Sequence, residues 1–116
     1  MPKICANLSM LFNEYDFLDK FERASVAGFK GVEYLFPYQY SVAELKQRLD
    51  DNNLKQVLFN LPAGDWSAGE RGITCHPDRV SEFREGVDQA IEYAKALDCS
   101  QCNTLAGIVG DNLSLP

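Results

Sequence analysis

Connections in this sequence are long after every predicted strand and minimal before the next one, and that asymmetry restricts the fold more than any other property of the chain. Apolar runs at 4–8, 31–35, 55–60 and 101–106 alternate with helical patterns at 16–27, 41–51 and 77–97. The helix-to-strand returns are only 28–30, 53–54 and 98–100, whereas the strand exits span 9–15, 36–40 and 61–76. Alternating strands and helices predict parallel strands joined by right-handed crossovers, an α/β architecture with helices packed on the sheet. Length placed only at the C-terminal ends of strands is the layout of a (β/α)8 TIM barrel, whose site is built from those loops. An open doubly wound sheet follows a similar crevice rule and is the alternative. Against it, the first strand runs into Asn7-Leu8-Ser9-Met10 rather than a glycine-rich phosphate turn, and the chain contains neither G-x-G-x-x-G nor a Walker motif. The fold expected is the first half of such a barrel, about four βα units with three helices, in one partial domain over 1–116.

Local chemistry supports the helices. Asp16 is an N-cap candidate with Asp19 three residues on; Phe17, Leu18, Phe21 and Ala24 share a face, and Gly28 stops the run. Ser41 and Glu44 form a capping-box pattern ahead of Val42, Leu45 and Leu49, and Asn52-Asn53 closes that helix. Pro77 fits a first turn, after which Val80, Phe83, Val87, Ile91, Ala94 and Leu97 recur at spacings of three and four. On the strands, Ala6, Val32, Leu58 and Asn103 or Thr104 are expected to point inward, away from the helices.

Composition narrows the partners. With 116 residues, 46% of them hydrophobic, the chain can build one core and not two. Its net charge of −6, with no basic cluster, makes nucleic acid a poor partner. No apolar run approaches the roughly 20 residues of a membrane span. Met1-Pro2-Lys3-Ile4-Cys5 enters a strand pattern at once, which leaves no room for a signal peptide and predicts a cytoplasmic protein. Of the cysteines Cys5, Cys75, Cys99 and Cys102, the last two form C-x-x-C, but they end a helix rather than open one. A zinc site would need a second pair, and only a lone cysteine and His76 remain to supply it, so the four are read as reduced thiols.

The exit at 61–76 exceeds the roughly 12 residues beyond which structureless loops are uncommon and tend to be functional. Its stretch 59–72, FNLPAGDWSAGERG, is read as one wall of a binding site. Asn7 and Asn60 both close strands at the loop-rich end, where they can bond a ligand or simply form turns. Glu33 interrupts an apolar strand; it either faces the pocket or is paired by a neighbouring strand, since an unpaired buried carboxylate is costly. Glu70 and Arg71 can orient a substrate carboxylate, for which the guanidinium fork is suited, or can pair with each other. Phe12, Phe36, Tyr38 and Trp66 either line that pocket or pack its rim. His76, beside Pro77, is read as a capping or exposed residue, and Glu82, Arg84 and Glu85 as a solvated face.

Four blocks in order carry a resemblance: Asn7-Leu8-Ser9-Met10; the run from Gly31 through Val32-Glu33-Tyr34-Leu35-Phe36-Pro37 to Tyr38; Leu58-Phe59-Asn60 with Gly64-Asp65 and Gly69-Glu70-Arg71-Gly72; and Leu105-Ala106-Gly107. Together they resemble the N-terminal portion of the hydroxypyruvate isomerase family, among the xylose-isomerase-like TIM barrels. The resemblance implies reversible isomerisation of hydroxypyruvate and 2-hydroxy-3-oxopropanoate (tartronate semialdehyde) by carboxylate acid–base proton transfer, within carbohydrate metabolism. It also implies a divalent metal in the complete enzyme, polarising the enediolate oxygens.

In such barrels the metal ligands and proton-transferring groups come from strands five to eight, and likeness ceases after Gly107, leaving 108–116 as a divergent tail. The expectation is therefore a partial chain with no catalytic or metal-binding residue of its own, inactive alone. Asn7, Glu33, Asn60, Glu70 and Arg71 are its substrate-binding candidates, for a small hydroxy-keto acid. Open sheet edges predict self-association. A non-catalytic half-barrel that binds, or another sugar or keto-acid isomerase or epimerase of the same barrel group, are the alternative readings.

Overall fold

The computed structural model describes residues 1–111. Four strands, β1 (Cys5–Asn7), β2 (Gly31–Glu33), β3 (Lys55–Asn60) and β4 (Cys102–Asn103), form one sheet in sequence order. Every adjacent pair is parallel. Between them run α1 (Lys20–Val26), α2 (Val42–Asp51) and α3 (Val80–Ala96), with short 3-10 turns at Phe17–Asp19 and Pro77–Arg79 leading into the first and third. Each strand thus lies beside its successor, as in the N-terminal part of a (β/α)8 barrel. Backbone bonds prolong the ladder past the strand ends, from Leu8 N–H to the Glu33 carbonyl (2.8 Å), Asn60 N–H to Leu35 (2.9 Å) and Leu61 N–H to Asn103 (2.8 Å).

Helix boundaries follow local chemistry in two of three cases. Ser41 accepts from the Glu44 N–H while the Glu44 carboxylate accepts from the Ser41 N–H, a complete capping box. Pro77 opens its turn, where a missing N–H costs nothing. Asp16 precedes the first 3-10 turn without a side-chain cap bond, so α1 begins later, at Lys20. The last strand is also shorter than the apolar pattern at 101–106, because Leu105 and Ala106 turn to meet the 61–76 loop instead of continuing the ladder.

The core lies between the sheet and its helices: Ala6, Leu8, Phe21, Ala24, Val32, Leu45 and Phe59 are fully buried in one cluster. This corrects the facing of two strand residues. Ala6 and Val32, expected inward, pack toward the helices. Alternation then puts Cys5 and Asn7 of β1, and Gly31 and Glu33 of β2, on the opposite, inward face. In β3 a bulge adjusts the phase: Val32 pairs with Gln56 but Glu33 pairs with Leu58, leaving Val57 as the extra residue. Leu58 and Asn60 therefore share the inward face with Glu33, while Phe59 enters the core against Tyr38 at 6.3 Å.

On α3 the buried stripe is also displaced from the expected one. Val80 and Ile91 are nearly half exposed, while Gly86 and Ala90 are buried. Gly86 faces the 61–76 loop, where a Cβ would meet the Pro62 ring at 3.4 Å, an ordinary contact, and Ala90 belongs to the core cluster.

Candidate functional site

At the C-terminal ends of the strands the inward face carries a row of paired polar side chains. The Asn7 amide donates to the Glu33 carboxylate at 3.1 Å, and its own carbonyl oxygen accepts from the Ser9 N–H at 3.0 Å. Ser9 Oγ in turn accepts from the Leu35 N–H at 2.9 Å, tying the β1 and β2 exits together. Two strands along, the Asn103 amide donates to Asn60 Oδ1 at 3.1 Å. The Asn60 carbonyl accepts from the Tyr38 hydroxyl at 2.6 Å, which fixes the peptide behind the amide. Glu33 is thus paired as well as inward, and it is the only carboxylate that the four strands carry. Asn103, expected inward with Thr104 as its alternative, completes the row.

The long loop forms the neighbouring wall and is tied down at both ends. Gly72 makes an antiparallel bridge with Ala106, Cys75 N–H donates to the Ala106 carbonyl at 2.7 Å, and the Thr74 and Thr104 hydroxyls bond at 2.9 Å. Within the loop the Glu70 carboxylate accepts from the Asp65 N–H and from both ends of the Arg79 guanidinium, one of them at 3.1 Å. Arg79 also grips Glu82, at 2.8 and 2.9 Å. Glu70 is therefore neutralised by Arg79 and not by Arg71. Arg79 was not legible as a site residue, and Glu82, expected on a featureless solvated face, anchors it. Arg71 lies 4.0 Å over the Trp66 ring and gives Nη1 to the Trp66 and Glu70 carbonyls, at 3.1 and 2.7 Å. No carboxylate takes its remaining donors among the described residues.

Aromatic residues divide between wall and core. Trp66 meets Phe36 edge-on at 5.0 Å, and the two border a cleft of about 220 Å³ with Tyr38, Pro62 and Gly64. Tyr38 also reaches the helix side, 5.2 Å from Tyr93. The His76 side chain makes no capping bond; it is half-buried and shares with Arg71 and Ile108 a hollow of about 250 Å³.

Electrostatics favour an ordered loop at neutral pH. Arg79, then the Asp65 N–H, holds the Glu70 carboxyl below its usual value; Ser67 and the Ala68 N–H do the same for Asp65. Groups with depressed values stabilise the folded loop above the ordinary carboxylate range, and the contribution disappears as pH falls through the lowered values. Acidification is expected to loosen 64–72 before the core melts, read as a change in emission of Trp66, the only tryptophan. Glu70→Gln should show that emission already at neutral pH. Emission that stays constant until global unfolding would rule this out.

Among the described residues no three His, Cys, Asp or Glu side chains converge as a metal-ligand set. The metal that the resemblance implies thus finds no donor set in these residues, and no step is assigned to it. The four cysteines are free thiols, with Cys99 buried and Cys102 exposed. No helix among the described residues is long and apolar enough to cross a membrane.

Parallel strands with a polar row and long loops at their C-terminal ends define the N-terminal part of a β/α barrel with its site at that pole. The chain belongs to the xylose isomerase-like TIM barrel family, whose profile matches residues 21–115. It is 58% identical over 107 residues to the hydroxypyruvate isomerase of Escherichia coli (strain K12), covering 92% of this chain and 42% of that protein. A 2-oxo-tetronate isomerase of Cupriavidus necator is 48% identical over 109 residues, covering 94% of this chain and 42% of that relative. The crystal structure of a family 2 AP endonuclease from Brucella melitensis superposes with a TM-score of 0.95 at 49% identity, covering 98% of this chain and 44% of that one. The chain therefore spans less than half the length of these relatives.

Proposed function

We propose that these residues form the substrate-shaping wall of an isomerase acting on a small hydroxy-keto acid, hydroxypyruvate in the first instance. The observation that carries the reading is the row Asn7–Glu33 and Asn60–Asn103, with spacings of 3.1 Å in each pair, set across the strand ends where barrel enzymes bind substrate. Likeness to relatives named as isomerases supports it. Amide and carboxylate groups suit a substrate made of hydroxyl and carbonyl oxygens, and the unclaimed edge of Arg71 suits its carboxylate. A polyanionic backbone fits poorly, since the C-terminal strand ends carry no Lys or Arg.

The reaction removes a proton from C3 of hydroxypyruvate, passes through an enediolate, and returns a proton to C2 to give 2-hydroxy-3-oxopropanoate. That sequence needs a base, an acid and a group to carry the enediolate charge. Glu33 is a single strand-borne carboxylate already bonded to Asn7, so in this reading Asn7, Glu33 and Asn60 orient the substrate while proton transfer requires groups these residues do not include. The 116-residue chain is accordingly expected to bind weakly and to show no turnover. Steady-state assays with added divalent metal check the second point: isomerisation by the purified chain would overturn it. Substrate-dependent shifts of the Asn7 and Asn60 side-chain amides in NMR spectra check the first, and their absence, or their persistence unchanged in Glu33→Gln with Arg71→Gln, would sink it. Running both experiments with hydroxypyruvate and with 2-oxo-tetronate separates the three-carbon reading from the four-carbon one that the second group of relatives favours.

A further inference from the structure

A buried ammonium group holds the loop that leaves β1. Lys20, the first residue of α1, has only 7% of its surface exposed. Its Nζ donates to the Leu8 carbonyl at 2.8 Å and to Asn13 Oδ1 at 2.9 Å, both of them neutral acceptors. Among the described residues no carboxylate pairs with it. Lysines are almost never buried without such a partner, and fixing so long a side chain gives up much rotamer freedom.

What the ammonium secures is the turn next to Asn7. Residues 8–10 form a turn in which the Asn7 carbonyl accepts from the Met10 and Leu11 N–H groups, at 3.1 and 2.9 Å. Buried carbonyls need donors, and Lys20 supplies one to Leu8, a residue with no exposed surface. The Asn13 amide, itself gripped by Lys20, donates to the Met10 carbonyl at 2.9 Å. From the same turn the Ser9 N–H donates to Asn7 Oδ1 at 3.0 Å, while Ser9 Oγ accepts from the Leu35 N–H. With its oxygen engaged there, the Asn7 amide turns its nitrogen to the Glu33 carboxylate. Phe12 shows how firmly this segment is held: its φ of +58° lies in the left-handed region that bulky side chains seldom adopt, and its ring packs against the core. Such a conformation persists only where surrounding contacts over-determine it, and it recurs at ligand-binding segments. Every hydrogen bond of this arrangement lies between residues 7 and 35, in the first βα unit and the strand that follows.

We propose that Lys20 is a positioning residue of the candidate site, whose ammonium fixes the 8–13 segment so that the Asn7 amide meets the substrate already oriented, nitrogen toward a substrate oxygen. The proposal rests on the reading of Asn7 as a substrate contact. Lys20 acts through Leu8, Asn13 and Ser9 and touches no substrate itself. An amide set in advance spares the ordering cost that binding would otherwise carry, so removal of the ammonium weakens binding at Asn7 while the core stays folded.

Lys20→Met keeps the apolar stem and removes the ammonium, whereas Lys20→Arg keeps N–H donors at the end of the side chain. The test is NMR of the 116-residue chain and both variants, first free and then titrated with hydroxypyruvate. In free Lys20→Met the Asn7 side-chain amide signals should move toward those of an unbonded amide. The Ser9 and Leu11 N–H groups should exchange about tenfold faster or more, with Leu45 and Phe59 unchanged. On titration the hydroxypyruvate Kd read at Asn7 should rise about tenfold. Lys20→Arg should bring each of these back toward the parent value. A residue that only stabilised the fold would lower the denaturation midpoint and leave the Asn7 signals of the folded chain in place. Should Lys20→Met not fold, Asn13→Ala, at an exposed position, is expected to displace the Asn7 and Ser9 signals in the same direction. Asn7 signals that keep their parent positions in Lys20→Met or, where that variant does not fold, in Asn13→Ala, or a displacement that Lys20→Arg does not reduce, overturn the proposal. A parent chain with no hydroxypyruvate shift at Asn7 overturns the substrate reading instead, and the comparison of free chains still decides whether Lys20 sets the amide.

Discussion

Gly72→Ala is expected to detach the 61–76 loop from the end of β4. Gly72 has φ +108°, a region that L side chains rarely adopt, and its added Cβ would stand 2.0 Å from the Leu105 carbonyl oxygen and 2.5 Å from its carbon. Both are backbone atoms, so relief requires moving the chain. The segment that would move holds the Gly72–Ala106 bridge and the bond from Cys75 N–H to Ala106. Strain of this kind costs about 1–3 kcal/mol where the structure resists, and an exposed loop relieves it by opening. Hydrogen exchange should then lose protection at Gly72 and Cys75 while that of Leu45 and Phe59 persists. Unchanged protection at Cys75 would show that the bridge is not what holds this wall.

Phe21→Ala should cost more, about 3–5 kcal/mol, and act on the whole fold. Phe21 is fully buried, 5.6 Å from Phe17 and 5.9 Å from Tyr34 between ring centroids, at the point where α1 meets the first two strands. Nothing there can collapse into the gap cheaply, because Phe17 is already stacked on Tyr40 at 4.9 Å. Domains carry a net stability of only about 5–15 kcal/mol, so a loss of this size removes a large part of it. Denaturant titration would be expected to show little or no folded baseline for this variant. A midpoint close to that of the parent chain would contradict the account of the core.

Much of this architecture is legible because the sequence states it more than once. Ser41 and Glu44 announce a helix start that the next apolar residues repeat, and the length of 61–76 marks the wall that Gly72, Thr74 and Cys75 then pin to the sheet. Facing is harder. Parallel strands carry apolar residues on both sides, so Ala6 and Val32 look equally suited to either. On α3, Val80 and Ile91 dominate the hydrophobic pattern, whereas the residues that are buried include Gly86, beside Pro62, and Ala90, in the core cluster. The candidate site divides in the same way. Asn7, Glu33 and Asn60 are strand-end polar residues in apolar surroundings, which sequence displays directly. Arg79 and Asn103 matter only through partners distant in sequence, Glu70 and Asn60, and composition has no signature for such a pairing.

The bulge at Val57 bears on how β3 can change in length. Because Leu58, Phe59 and Asn60 follow an extra residue, each lies on the face opposite to the one an unbroken alternation would assign. A lineage that lost the Val57 codon would keep Phe59 in the core and Asn60 in the polar row, because Leu58 would then follow Gln56 in regular alternation opposite Glu33. The bulge is thus the place in this strand where one residue can be gained or lost between lineages without exchanging core for polar row.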